Sequence, residues 1–212
     1  MKFLHKLLCS ICALLCLVAG TAQGAQLGSE YQILPRPQPA ESGKVEVIEF
    51  FWYACPHCYA FEPALSRWAA KLPKDVVFKR VPAIARDTWE PLARTYYALE
   101  AMGEIPRLHE AVFNAVHKDK IDLNNEKTQA DWMAGKGVDV KKFTELYRSF
   151  GVETKIRASR QVFEKYAIEG VPAIIVDGRY YTAPGIKGGP ERCVAVMDEL
   201  IAKVKADRSA AK

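Results

Sequence analysis

The residues of this chain best suited to chemistry are Cys55-Pro56-His57-Cys58, two thiols three positions apart at the start of a stretch with helical periodicity. A thiol is a nucleophile only when ionised, and a helix N-terminus favours ionisation by offering unpaired backbone N–H groups and the positive end of the helix dipole. Pro56 suits the first helical position because it has no N–H to leave unsatisfied, and the spacing puts Cys58 on the same face as Cys55, within reach of a disulfide. His57 between them adds a donor or a positive charge that would stabilise a Cys55 thiolate. A stabilised thiolate is a good leaving group. A Cys55–Cys58 disulfide would therefore be easily reduced and would oxidise other thiols through a mixed disulfide on Cys55.

Other uses of such a pair are weaker. Structural zinc needs about four ligands, and past the N-terminal segment the chain has three Cys and three His (His57, His109 and His117) with no second ligand pair. Covalent haem attachment would want His after the second Cys, where Tyr59 stands. An inert structural disulfide across two residues would close too small a loop to stabilise much. Neither metal nor cofactor is expected.

Three elements must hold the pair. Val45 to Trp52 is β-branched and aromatic, nearly continuous in apolar character, as in a central strand covered on both faces. Pro56 to Leu72 carries Phe61, Leu65, Trp68 and Leu72 at helical spacing and ends at Pro73. Val76 to Val81 reads as a second strand, so 45–81 forms a β-α-β unit with the cysteines at its first junction. From Trp89 to about Arg148 the pattern is helical, broken at Gly103, Asp122–Asn125 and Gly135–Gly137, and a further helix runs from about Glu153 to Tyr166. Val171–Val176 and Arg179–Thr182 are strands joined by Asp177-Gly178, a hairpin signal, and Pro190 to about Ala206 is an amphipathic helix. Residues 25–44, with Pro35-Arg36-Pro37-Gln38-Pro39, read as an extended lead-in, and Ala206–Lys212 as a fraying tail. The order predicts an α/β, thioredoxin-like fold with an all-helical insertion: 25–86 and 150–212 form the sheet domain, 87–149 the insertion.

The N-terminus reads as a secretory signal over 1–24. Lys2 and Lys6 precede the apolar run Leu7–Ala19, shorter than a bilayer span, and small residues Ala22 and Gly24 place cleavage near Gly24 or Ala25. Cys9, Cys12 and Cys16 would leave with it, so Cys55, Cys58 and Cys193 remain and a disulfide scaffold is excluded. The formal net charge of +5 falls to about +3, with basic and acidic residues interleaved, which gives no support to a nucleic-acid partner. Cys193 shares a helical stripe with Met197, Leu200 and Val204 and is expected to be a buried, inert thiol.

Phe50-Phe51, Cys55-Pro56-His57-Cys58-Tyr59 followed by Phe61-Glu62, the Gly170-Val171-Pro172-Ala173 turn and the export signal together resemble the DsbA family of bacterial periplasmic dithiol oxidases. The resemblance implies an exposed attacking sulfur at Cys55, a more buried one at Cys58, and a cis-proline at Val171-Pro172 lying against them and facing substrate. It implies a buried acid at Glu49, able to relay protons to Cys58, with Lys79 as its charged partner. It further implies unfolded exported proteins as substrates, reoxidation by a quinone-linked membrane protein of the DsbB kind, a periplasmic location and a monomer. A reductase or isomerase on the same fold and a non-catalytic periplasmic binding protein or holdase are the competing readings; His57 and the lack of a dimerisation domain weigh against the former.

Overall fold

The computed structural model describes residues 24–40 and 43–211. The expected signal segment lies outside them except for Gly24. Five strands form one sheet in the order β1-β5-β4-β2-β3: β1 Gln32–Ile33, β2 Val45–Phe51, β3 Val76–Pro82, β4 Ala173–Val176 and β5 Tyr180–Thr182. β2 pairs parallel to β3 and antiparallel to β4. Helix α1, Pro56–Ala69, crosses from β2 to β3. After a 3-10 turn at Asp87–Trp89 come α2 Glu90–Met102, α3 Ile105–His117, α4 Glu126–Gly135, α5 Val140–Tyr147 and α6 Phe150–Lys165, and α7 Gly189–Ala210 closes the chain.

Every residue of β2 is buried, as its apolar run requires of a strand covered on both faces. Val45 and Val47 pack with Phe61 and Leu65 of α1 and Met197 and Leu200 of α7, while Ile48 and Phe50 pack on the opposite face with Phe163 and Tyr166 at the end of α6. The helices between β3 and β4 build their own core from Leu92, Leu99, Val112, Phe113, Met133 and Phe143. Phe51, Tyr53 and Cys58 belong to that same core, so the cysteine junction is wedged between sheet and helices. The first half of α6, Val152 and Ile156, joins the helical core and its second half joins the sheet core, so the helix that begins at the 149/150 boundary is shared by both layers.

The breaks within the helical stretch fall where the sequence places them. Gly103 ends α2 in the left-handed region, and the side chains of Asn125, Asp139 and Ser149 cap α4, α5 and α6 by accepting from Thr128, Lys142 and Val152 N–H groups. Asp177-Gly178 makes the hairpin turn with φ of 56° and 63°. Two expectations need correction. The lead-in contains a two-residue strand, β1, paired with Tyr180 and Tyr181. The tail does not fray at Ala206, because Arg208 donates to Asp177 Oδ1 at 2.6 Å and to Lys44 O at 2.9 Å and the helix runs on to Ala210.

Candidate active site

Cys55 is the N-cap of α1, with extended backbone angles, and Pro56 follows it as the first helical residue. The cap is made by sulfur: the Cys58 N–H donates to Cys55 Sγ at 3.4 Å. The loop before it is closed by Cys55 N–H donating to Trp52 O at 3.0 Å. Cys55 is 6% exposed and Cys58 wholly buried, so the first sulfur is the accessible one, though less open than the family likeness implies. Both cysteines are free thiols here, as is Cys193.

The two thiols differ sharply in acidity. Cys55 is brought down to about 6, above all by the bond from the Cys58 thiol, then by the backbone N–H groups of Cys58 and His57, against the opposing effect of burial. The His57 side chain is exposed and its charge adds the smallest of these contributions. Burial pushes Cys58 far above the ordinary thiol range, and its bond to Cys55 adds to this. One thiolate and one thiol is thus the reduced state near neutral pH.

The turn before β4 completes the surface. The Val171-Pro172 peptide is cis, and the Cys55 thiol reaches Val171 O at 3.4 Å. An open groove of about 350 Å³ runs beside it, lined by His57, Ala60, Val171, Pro172, Tyr181 and Pro184. On another side Trp52 stacks on Trp89 at 4.3 Å with planes 3° apart. Tyr59 stacks on His117 at 4.8 Å and donates to Asn114 Oδ1, while His117 Nε2 lies 2.7 Å from Tyr53 O, which ties the active loop to α3.

Beneath the pair lies a buried ionic cluster. Glu49 on β2 is 1% exposed, and burial pushes its carboxyl up to about 8 despite the opposing charge of Arg80. Its partner is Arg80, which donates from Nε to Glu49 Oε2 at 3.1 Å and from Nη2 to Glu62 Oε1 at 2.9 Å. Lys79, expected as that partner, instead donates to Glu46 Oε2 at 2.6 Å. The reason is strand parity. Register pairs Glu49 with Arg80 and Ile48 with Lys79, so Lys79 shares the opposite face with Glu46, and a one-residue slip reverses every side chain. Arg80, Glu62, His109 and Tyr53 were not assigned to the site from sequence. Sheet parity could have found Arg80 once the register was known; His109 comes from α3, and no local pattern brings it here. Cys193 is 2% exposed and pushed up to about 12 by burial, as expected of an inert thiol.

Comparison with known proteins points one way. Residues 80–190 match the model of a family described as DSBA-like thioredoxin domain, a stretch that begins after the cysteine pair and includes the Val171-Pro172 turn. Longer alignments span the pair. The thiol:disulfide interchange protein DsbA of Burkholderia cepacia is 41% identical over 208 residues, covering 95% of this chain and 98% of that protein. The protein of the same name from Pseudomonas aeruginosa PAO1 is 41% identical over 196 residues, with 92% of each covered. The crystal structure of Pseudomonas aeruginosa DsbA superposes with a TM-score of 0.83 at 41% identity, covering 89% of this chain and 97% of that one. The oxidoreductase DsbA from Xylella fastidiosa gives 0.79 at 34% identity, covering 87% and 100%.

Proposed function

The chain belongs to the DsbA family of thiol:disulfide interchange proteins, and from that premise we propose that it works as a dithiol oxidase in which Cys55 is the attacked sulfur and Cys58 the one that leaves. The single observation that carries this direction is the unequal acidity of the two thiols, with Cys55 near 6 and Cys58 held protonated by burial. A substrate thiolate attacks Cys55 Sγ, the Cys55–Cys58 bond breaks, and Cys58 departs with the electron pair and takes up a proton. A second substrate thiolate then attacks the substrate sulfur of the mixed disulfide. Cys55 leaves as a stabilised thiolate, the substrate gains a disulfide and the protein keeps two electrons.

Glu49 is the proton partner of Cys58 in this reading. Its carboxyl, with an affinity near 8, is mostly protonated at neutral pH and acts electrostatically on Cys58. Pro56 starts the helix, and the Val171-Pro172 turn with its groove receives an extended substrate segment by backbone and apolar contact. Lys79 belongs to the strand's other face and has no part in the proton step. The substrates are unfolded exported proteins carrying free thiols, and a quinone-linked membrane protein of the DsbB kind withdraws the electrons. Periplasmic location rests on the signal-like N-terminus; among the described residues no helix is long and apolar enough to cross a membrane. The protein acts as a monomer.

Replacing Cys55 by Ser should abolish oxidation of a reduced two-thiol peptide, followed by mass spectrometry of the peptide. Activity retained in Cys55→Ser would overturn this reading and favour a binding protein whose cysteines are incidental.

A further inference from the structure

The two carboxylates on either side of Arg80 are held unequally. Glu49 has one bond, from Arg80 Nε. Glu62 Oε1 accepts from Arg80 Nη2 and from Ser66 Oγ, and its Oε2 faces His109 Nε2 at 3.4 Å. Glu62 Oε2 and His109 Nε2 are both buried, and neither makes a hydrogen bond among the described residues, so each is the other's nearest candidate partner. The far end of the imidazole is fixed: Nδ1 lies 2.7 Å from Tyr53 Oη. Burial holds the Tyr53 phenol neutral, well above its ordinary range, and among the described residues Nδ1 is the one hydrogen-bond partner of its hydroxyl, so the buried O–H is satisfied only with Tyr53 as donor and Nδ1 as acceptor. A neutral imidazole accepting at Nδ1 carries its hydrogen on Nε2, which is the atom facing Glu62.

We propose that His109 is a positioning residue that assigns the proton shared by the two buried carboxyls to Glu49, by donating its Nε2–H to Glu62 and so keeping Glu62 ionised beside Arg80. Two carboxylates around one guanidinium in a dry cluster do not both ionise readily, and the better-solvated one keeps the charge. Glu62 accepts two hydrogen bonds and faces a third donor at His109, whereas Glu49 accepts one. Acidities agree with this ordering: burial alone would raise Glu62, but a donor at His109 followed by the charge of Arg80 brings it below the ordinary carboxyl value, while burial raises Glu49. Burial lowers the proton affinity of His109 itself, which keeps it neutral.

The groups that face His109 are Glu62 from α1, Tyr53 from the loop before it, Arg80 from β3, Tyr96 from α2 and Glu110 on its own helix. Those acting on Glu49 are Arg80 and Glu62, and Glu49 in turn acts on Cys58, Cys193, Tyr53 and Tyr96. None of the others offers Glu62 Oε2 a hydrogen. The consequence for catalysis is that the proton waits on the carboxyl that acts on Cys58. That consequence rests on the role proposed for Glu49, but the location of the proton can be read independently of it.

The test is carboxyl NMR of the reduced protein labelled at glutamate Cδ, with the two resonances assigned by Glu49→Gln and Glu62→Gln. In the unaltered protein Glu49 should titrate near 8 and Glu62 stay ionised from pH 5 to 9. His109→Phe fills the same buried space without a donor. There Glu62 should take up the proton and Glu49 lose at least tenfold in proton affinity. His109→Gln, whose amide can accept from Tyr53 and donate to Glu62, should restore the original titration, a rescue that a purely packing role would not give. Unchanged titration of both carboxyls in folded His109→Phe overturns the proposal. Should that variant fail to melt cooperatively, the imidazole 15N shifts of the unaltered protein must show His109 neutral at pH 7 with its hydrogen on Nε2, and a hydrogen on Nδ1 overturns the proposal equally. If instead the proton moves as expected while Glu49→Gln leaves Cys58 reactivity unaltered, the assignment by His109 stands and the catalytic role of Glu49 falls.

Discussion

At the scale of single residues, function rests on one sulfur holding its negative charge cheaply and its neighbour not holding it at all. Cys55 is the acceptor at its own helix cap, so the bond that stabilises the helix start also stabilises the thiolate. Thiolate absorbance at 240 nm in the reduced protein should therefore rise with a midpoint of about 6 and show no second step below pH 10. A single midpoint near the ordinary thiol value of about 8.5 would contradict the arrangement. Glu49→Gln removes the proton that Cys58 takes up, so release of Cys58 by a small thiol should slow several-fold at neutral pH and lose the inflection near 8. Stopped-flow reduction across pH 6–9 measures this, and identical profiles for the two proteins would remove Glu49 from the mechanism.

At the scale of elements, the parts that position the cysteines are those whose signals are local. The β-α-β unit, the Asp177-Gly178 hairpin and the capped helices are each specified within a few residues and are found within a few residues of where the sequence puts them. Gly178 shows how tightly one such turn is fixed: with φ at +63°, a Cβ would fall 2.1 Å from Gln38 O. Gly178→Ala should lower stability by about 3 kcal/mol through left-handed strain and overlap, read as a lower urea midpoint; an unaltered midpoint would mean that the turn and the lead-in segment can separate freely. What was not legible depends on distance. β1 is two residues long and exists only because β5 offers it an edge. The exchange of Lys79 for Arg80 as the partner of Glu49 is a matter of sheet parity, which needs the register. Glu62 and His109 meet across α1 and α3, a tertiary encounter that neither helix's own pattern contains.

For the whole molecule, thiol acidity sets the direction of electron flow. A thiol whose folded value is depressed stabilises the reduced protein above the unfolded value, and that stabilisation is lost as pH falls through about 6. Each pH unit above that midpoint, until the ordinary thiol range is reached, adds ~1.4 kcal/mol in favour of the reduced form. The disulfide form has no such group and closes a loop too short to compensate. Reduction by glutathione between these limits yields one thiolate and releases one proton. The most direct test of the central claim, that the pair gives its disulfide away, is thus the equilibrium of the full protein with reduced and oxidised glutathione measured from pH 5 to 8. The reduced protein should dominate at pH 7 even in a largely oxidised glutathione buffer, with the equilibrium constant nearly flat below pH 6 and rising about tenfold per unit above it. A constant that does not change with pH, with a potential near the roughly −270 mV of thioredoxin, would contradict the account and make the protein a reductase.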